Sequence, residues 1–186
     1  MRIISGALKG RSFDFLRNSF TRPLKDTVKE NIFNILVHSN LIEVKILKSN
    51  ILDLYSGIGS FGIECISRGA EKVTFIEQNA QAQNILKSNL AKLSIQKKAS
   101  IYSDKIENVL IKNLSEKFHI LFFDPPFSDT NYVQNLKQIK KKILYKKKHI
   151  IIIHRERKTE DKFQNILRII ETKEYGRSKI IFAVFN

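Results

Sequence analysis

Cysteine is almost missing from this 186-residue chain: Cys65 stands alone. An internal disulfide is therefore excluded, which suits a reducing cytosol. Long apolar runs are missing as well. The longest is the six residues 180–185, and 150–153, with His149 at its edge, is shorter, against the roughly 20 residues of a membrane-spanning helix. The opening Met-Arg-Ile-Ile-Ser-Gly has no apolar stretch of the kind a signal peptide carries. A cytoplasmic protein with no membrane partner is expected. His38, His119, His149 and His154 fall at no metal-binding spacing, so no metal is expected either. His149 and His154 read as the two ends of a strand. Cys65 reads as a buried structural thiol, and no serine sits in a hydrolase elbow.

Acids are scarce relative to bases: 18 Asp and Glu face 33 Lys and Arg, a net charge of +15. A field of that sign attracts a polyanion. A lysine-rich source composition is the plainer alternative. Residues 1–30 hold Arg2, Lys9, Arg11, Arg17, Arg22, Lys25 and Lys29 against three acids. Residues 137–148 hold seven lysines and no acid. Two such clusters favour a nucleic-acid partner, with Arg2, Lys9, Arg11, Arg22 and Lys25 as the candidate contacts. The lysine run near residue 140 reads equally as an RNA contact or a solvated face.

A hydrophobic content of 42% at this length suits one folded domain with a substantial core. Residues 1–15 read as a short hairpin around Gly6 and Gly10. Thr27-Val28-Lys29-Glu30 fits a capping box for a helix over 26–39. Strand and helix then alternate. Strands are predicted at 51–55, 72–76, 99–102, 118–123 and 149–154. Helices are predicted at 60–67, 79–93, 105–114 and 130–144. Asn79 is the expected N-cap of the second helix of this set. Tyr132, Val133, Leu136, Ile139 and Ile143 form the expected inward face of the last. Two β-rich runs, 167–175 and 179–185, are joined by Gly176-Arg177-Ser178 and read as an antiparallel hairpin. The fold class is α/β: a mostly parallel seven-stranded sheet with helices on both faces and a C-terminal antiparallel hairpin. Residues 1–50 are expected to pack on it as a hairpin-and-helix extension of a single domain.

Asp53-Leu54-Tyr55-Ser56-Gly57-Ile58-Gly59-Ser60-Phe61-Gly62 follows the first predicted parallel strand and opens a helix. In such sheets a ligand sits beyond the C-terminal ends of the strands. Glycines there let the backbone turn tightly and approach it. Glu77, at the end of the next strand, can accept both hydroxyl hydrogens of a ribose. Asp104, ending the third, is placed to meet an adenine amine. The pattern matches Gly-x-Gly-x-x-Gly with a following acid, so a nicotinamide-dependent oxidoreductase competes. Asp53 favours a different adenosine ligand. Beside the loop it suits a cation, such as the amino-acid end of S-adenosylmethionine, and would repel a pyrophosphate. Alternatively, Asp53 caps nearby backbone amides.

Proline is also rare, at three residues, yet two of them stand together in Asp124-Pro125-Pro126-Phe127. They must end the strand before them, since proline cannot donate to a sheet. The result is a rigid loop on the same sheet edge as the glycine loop. An exocyclic base amine is a poor nucleophile because its lone pair is delocalised into the ring. The Asp124 carboxylate and the Pro125 carbonyl can accept its two hydrogens and free that lone pair for an activated methyl. Phe127 can stack on a base removed from its helix, or simply pack in the core.

With these motifs in view, the chain resembles the RsmD family of bacterial methyltransferases, which modify the N2 amine of one guanine in small-subunit (16S) ribosomal RNA. Arg2-Ile3-Ile4-Ser5-Gly6 with Lys9-Gly10-Arg11 is similar to the family's opening. Arg22-Pro23, Asp26 and Glu30-Asn31-Ile32-Phe33-Asn34-Ile35-Leu36 resemble its next block. Leu52 through Gly59, then Gly62, Glu64 and Ser67-Arg68-Gly69-Ala70, resemble the cofactor block, and Asp124 through Phe127 with Tyr175-Gly176 complete the set. The two N-terminal blocks narrow the family, since the proline loop is shared by many amino-methyltransferases. The chain departs from the pattern at Leu24 and Ser56, and no glutamate aligns near Ile153-His154, where the family often carries one.

The resemblance implies a Rossmann-like class I methyltransferase with 51–186 as its catalytic core and S-adenosyl-L-methionine as cofactor. It implies Asp53, Tyr55, Ser56, Gly57, Gly59, Glu77, Gln78 and Asp104 as cofactor contacts. Asp124, Pro125, Pro126 and Phe127 would form the catalytic loop, and the basic N-terminal extension would hold RNA. The expected partner is small-subunit ribosomal RNA or a partly assembled subunit, met by a monomer. The alternatives are an amino-methyltransferase acting on adenine or cytosine in DNA or other RNA, the oxidoreductase above, and a non-catalytic RNA-binding factor.

Overall fold

Apolar strands separated by amphipathic helices can pair in parallel, because a helical crossover returns the chain to the same end of the sheet. The computed structural model, which describes all residues except 16–23, 25, 113 and 164, has that form. Its elements are α1 (Asp26–His38), β1 (Asn50–Leu54), α2 (Ser60–Ser67), β2 (Lys72–Ile76), α3 (Ala80–Lys92), β3 (Ala99–Tyr102), α4 (Ile106–Ile111), β4 (Phe118–Phe123), α5 (Tyr132–Lys142), β5 (Tyr145–Glu156), β6 (Leu167–Tyr175) and β7 (Ser178–Phe185). The sheet order is β3-β2-β1-β4-β5-β7-β6. The first five positions are parallel, and β7 pairs antiparallel with both β5 and β6.

Alternation along each strand divides the core between two faces. Ile51, Phe75, Ile120, Phe122, Ile150, Ile152 and Phe182 face α1, α2, α3 and the N-terminal segment. Leu52, Leu54, Ile76, Leu121, Phe123, Ile151 and Ile153 face α4 and α5. Cys65 is fully buried in the first of these layers. Phe33, Phe61 and Phe122 stack in a row through it, with centroids 5.2 and 4.0 Å apart.

The N-terminal segment is fastened to α2 and α3 by its backbone. Buried Glu64 accepts from the amides of Ile4 and Ser5, at 2.8 and 3.0 Å. The amide of Ala7 donates to the Ser67 carbonyl. Asn89 exchanges two hydrogen bonds with the backbone of Asp14. The predicted hairpin is present around one antiparallel bridge, Arg2 with Ser12. A Cβ on Gly6 would lie 1.9 Å from the Ser67 carbonyl oxygen, so the contact requires glycine.

Three local expectations change. Helix α1 starts at Asp26, so Thr27 lies within its first turn and the expected capping box is replaced. Asp26 instead pairs with fully buried Lys29, whose Nζ also donates to the Arg2 carbonyl. Ile143, expected inside, is 53% exposed, because it ends α5 in the left-handed conformation and turns outward. Strand β5 begins at Tyr145 rather than 149, since Tyr145 pairs with Phe118, and it runs past His154 to Glu156. Lys146, Lys147 and Lys148 therefore lie at its N-terminal end. Asn79 caps α3 as expected, accepting from the Ala82 amide at 3.0 Å.

Candidate active site

Parallel pairing of β1 with β2 and β4 brings the C-terminal ends of these strands to one rim. A crevice of about 760 Å³ opens there, a size typical of small-molecule sites. Asp53, Tyr55, Ser56, Gly57, Glu77, Gln78, Asp104 and all four residues Asp124–Phe127 line it. Gly59 does not; it lies behind the lining as the left-handed N-cap of α2. Gly62 serves packing, since a Cβ there would come 2.3 Å from the Phe75 ring.

The glycine loop is tied to its surroundings by carboxylates. Glu77 accepts from the Gly57 amide through Oε2 and from the Asn79 amide through Oε1, both at 2.7 Å. Asp53 accepts from the Gly62 amide at 3.0 Å, so it does fasten the first turn of α2. Burial pushes the Asp53 carboxyl well above its usual range; the Gly62 amide opposes this, and the charges of Asp124 and Glu77 reinforce it. Asp104 is engaged with α4, accepting from the Lys105 amide, Asn108 and Lys112. The hydrogen bonds from Asn108 and Lys112 hold its carboxyl down at about 2.

The proline loop adjoins the glycine loop, and side chains bind them together. The Tyr55 hydroxyl donates to Asp129 at 2.9 Å and accepts from Asn135 at 3.2 Å. Asp124 Oδ1 lies 2.7 Å from His154 Nδ1. Behind the loop, Arg155 donates through Nη1 to the Pro126 carbonyl and through Nη2 to the Phe127 carbonyl, both at 3.0 Å. Its Nε donates to Asp161, which also meets Lys179 and Tyr132. No described residue donates to the Pro125 carbonyl.

His154 and Arg155 were not singled out as site residues by motif or spacing. The available signal was position: the first polar pair after the apolar run of a parallel strand stands at the ligand-binding edge. The expected RNA contacts are elsewhere. Arg2, Lys9 and Arg11 are exposed and none lines the crevice. Their segment meets Ser67, at the end of α2 away from the crevice. Arg11 also donates to the carbonyls of Lys92 and Leu93. Arg22 and Lys25 lie outside the described residues.

Two properties say what the crevice suits. Among the described residues its charge opposes that of the chain: Asp53, Glu77, Asp104, Glu107, Asp124 and Asp129 line it, against one lysine, Lys105. It also holds unmet hydrogen-bonding capacity. Among the described residues, three buried side-chain polar atoms lack a partner: Ser56 Oγ, Ser60 Oγ and His154 Nε2. All three belong to residues lining this crevice. Buried polar atoms are normally paired, so this clustering marks a place built for a polar, positively charged ligand. Among the described residues no group of three or more His, Cys, Asp or Glu side chains could hold a metal ion.

Sheet order, glycine loop and acid-lined crevice together define a Rossmann-like class I methyltransferase. The E. coli methyltransferase candidate yhhF has the same fold, with a TM-score of 0.85 over 100% of this chain and 98% of that one, at 24% identity. The family model "Conserved hypothetical protein 95" matches residues 1–184. Ribosomal RNA small subunit methyltransferase D of Buchnera aphidicola subsp. Baizongia pistaciae is 31% identical over 185 residues, 100% of this chain and 91% of that protein. The same-named protein of Haemophilus influenzae is 36% identical over 129 residues, 68% of this chain and 64% of that protein. The chain belongs to this family, the RsmD family that its motifs resemble.

Proposed function

We propose that this protein, as a single domain, methylates the exocyclic N2 amine of a guanine in small-subunit ribosomal RNA, with S-adenosyl-L-methionine as donor. The observation that carries the reading is the junction of the two loops. Tyr55 and Asp129 fasten the glycine loop to the proline loop, and Asp124 stands in the same crevice as Glu77.

The crevice residues fit the donor. Its acids suit a ligand with cationic sulfur and ammonium groups, whereas a dinucleotide would set two phosphates among six carboxylates. Glu77 would hold the ribose hydroxyls, and Ser56 and Ser60 have hydroxyls to offer the amino-acid end. When bound, the donor supplies a methyl on positively charged sulfur. Asp124 and the Pro125 carbonyl each accept one hydrogen of the base amine, which releases the nitrogen lone pair from the ring. Arg155 occupies the next two carbonyls and keeps that acceptor pair aimed. The nitrogen gains the methyl as the methyl–sulfur bond breaks, S-adenosylhomocysteine is the leaving product, and the nitrogen gives one proton to water; no strong base is required. Arg2, Lys9 and Arg11 are assigned to RNA phosphates, which position an RNA without reading its sequence.

Purified protein should place label from methyl-labelled donor into small-subunit RNA, recovered as N2-methylguanosine in a nucleoside digest by mass spectrometry. A label found only on adenine or cytosine, or no label in either RNA or assembled particles, overturns the reading. Glu77→Ala should weaken S-adenosylhomocysteine binding by calorimetry about 10- to 100-fold, the scale of hydrogen bonds to a charged group. An unchanged Kd would remove Glu77 from the cofactor site.

A further inference from the structure

We propose that His154 selects guanine by accepting the N1–H of the target base at Nε2. This rests on the methyl-transfer reading above and adds the element that chooses the base. The proline loop by itself presents acceptors for an amine, and guanine, adenine and cytosine all carry one.

A carboxylate only accepts hydrogen bonds, so the 2.7 Å contact with Asp124 puts the proton of His154 on Nδ1. In the neutral ring Nε2 then carries a lone pair. That atom is buried and has no partner, on a residue that is 9% exposed and lines the crevice. Phe127, the candidate stacking surface, meets the same imidazole edge-on, with centroids 5.7 Å apart and planes at 78°. Asp124 and His154 thus present two acceptors side by side on neighbouring strands.

Guanine is the base whose amine adjoins a ring N–H: N2 and N1 are parallel donors. In adenine the amine adjoins bare N1, and in cytosine bare N3. Either would set a ring lone pair against that of Nε2. A base seated against Nε2 leaves no room for water between the two lone pairs, so no solvent relieves the mismatch, and sites of this kind reject the wrong partner strongly.

The test uses the full chain and small-subunit RNA fragments carrying either guanine or 2-aminopurine at the methylated position. 2-Aminopurine keeps the 2-amine but has no hydrogen on N1. Wild type should favour guanine by about 10- to 100-fold in kcat/KM. His154→Phe should lower both rates and bring the ratio to within about threefold of unity, whereas His154→Gln, which keeps an acceptor, should retain part of the preference. Loss of Asp124 support alone would slow both bases alike and leave the ratio unchanged. A ratio unmoved in His154→Phe overturns the inference while N2-methylguanosine formation stands. So does a wild-type enzyme without preference, which covers the case of a phenylalanine variant that does not fold. Absence of N2-methylguanosine from the wild-type reaction overturns the function reading and this inference with it.

Discussion

Asp124→Ala should lower kcat by about 10²- to 10³-fold, roughly 3–4 kcal/mol of barrier, the scale seen when one preorganised transition-state partner is removed. S-adenosylhomocysteine should bind nearly as before, because the proposed role of Asp124 is toward the amine and not toward the ribose or the glycine loop. The effect therefore falls on kcat, as expected for a contact that strengthens only as the nitrogen pyramidalises. Asp124→Asn should fall between the two, since its amide oxygen still accepts while the charge is lost. Single-turnover kinetics at saturating cofactor and RNA provide the measurement. Near-normal turnover in the alanine variant would show that the amine is oriented by other groups.

Arg155→Met should cost about 3 kcal/mol of stability in urea unfolding, with an additional fall in kcat. Its guanidinium is buried and serves Asp161, two loop carbonyls and the face of Tyr132, 4.7 Å away. Breaking one partner of a buried pair costs about 3–5 kcal/mol. The lower end applies because Lys179 and Tyr132 still meet Asp161. Arg155→Lys should restore little, since an ammonium cannot span an acid and two carbonyls in one plane. Burial pushes Asp161 upward, but Lys179, Tyr132 and Arg155 outweigh it and hold the carboxyl below its usual value. A carboxyl lowered in the folded state adds stability above its unfolded value, and that stability is lost as pH falls through the folded value. The wild type should therefore lose more stability on acidification than Arg155→Met. Equal acid sensitivity, or a stability cost below about 1 kcal/mol, would leave the network without its assigned role.

The resemblance of the two N-terminal blocks located the family, and the glycine and proline loops located the crevice from sequence, because glycine at a turn and proline after a strand have few structural meanings. Boundaries governed by pairing were less legible. The lysines at 146–148 look like loop or helix end, and only the partnership of Tyr145 with Phe118 draws them into β5. Ile143 satisfies the apolar period of α5 yet turns outward, since a left-handed helix end leaves that period.

What the residues determined alone was local: strand and helix in alternation, a glycine loop opening α2, and acids at the ends of β1, β2 and β4. Those follow from backbone sterics and side-chain period, which act over a few residues. The tertiary structure decided which distant groups meet. Phe123 stands opposite Ile153 in the parallel register, so the next residue on each strand, Asp124 and His154, are brought within hydrogen-bond distance across 30 positions. Arg155 then falls behind the loop and takes its carbonyls. Register is set by how two strands share their buried faces, a property of the pair that neither segment carries by itself.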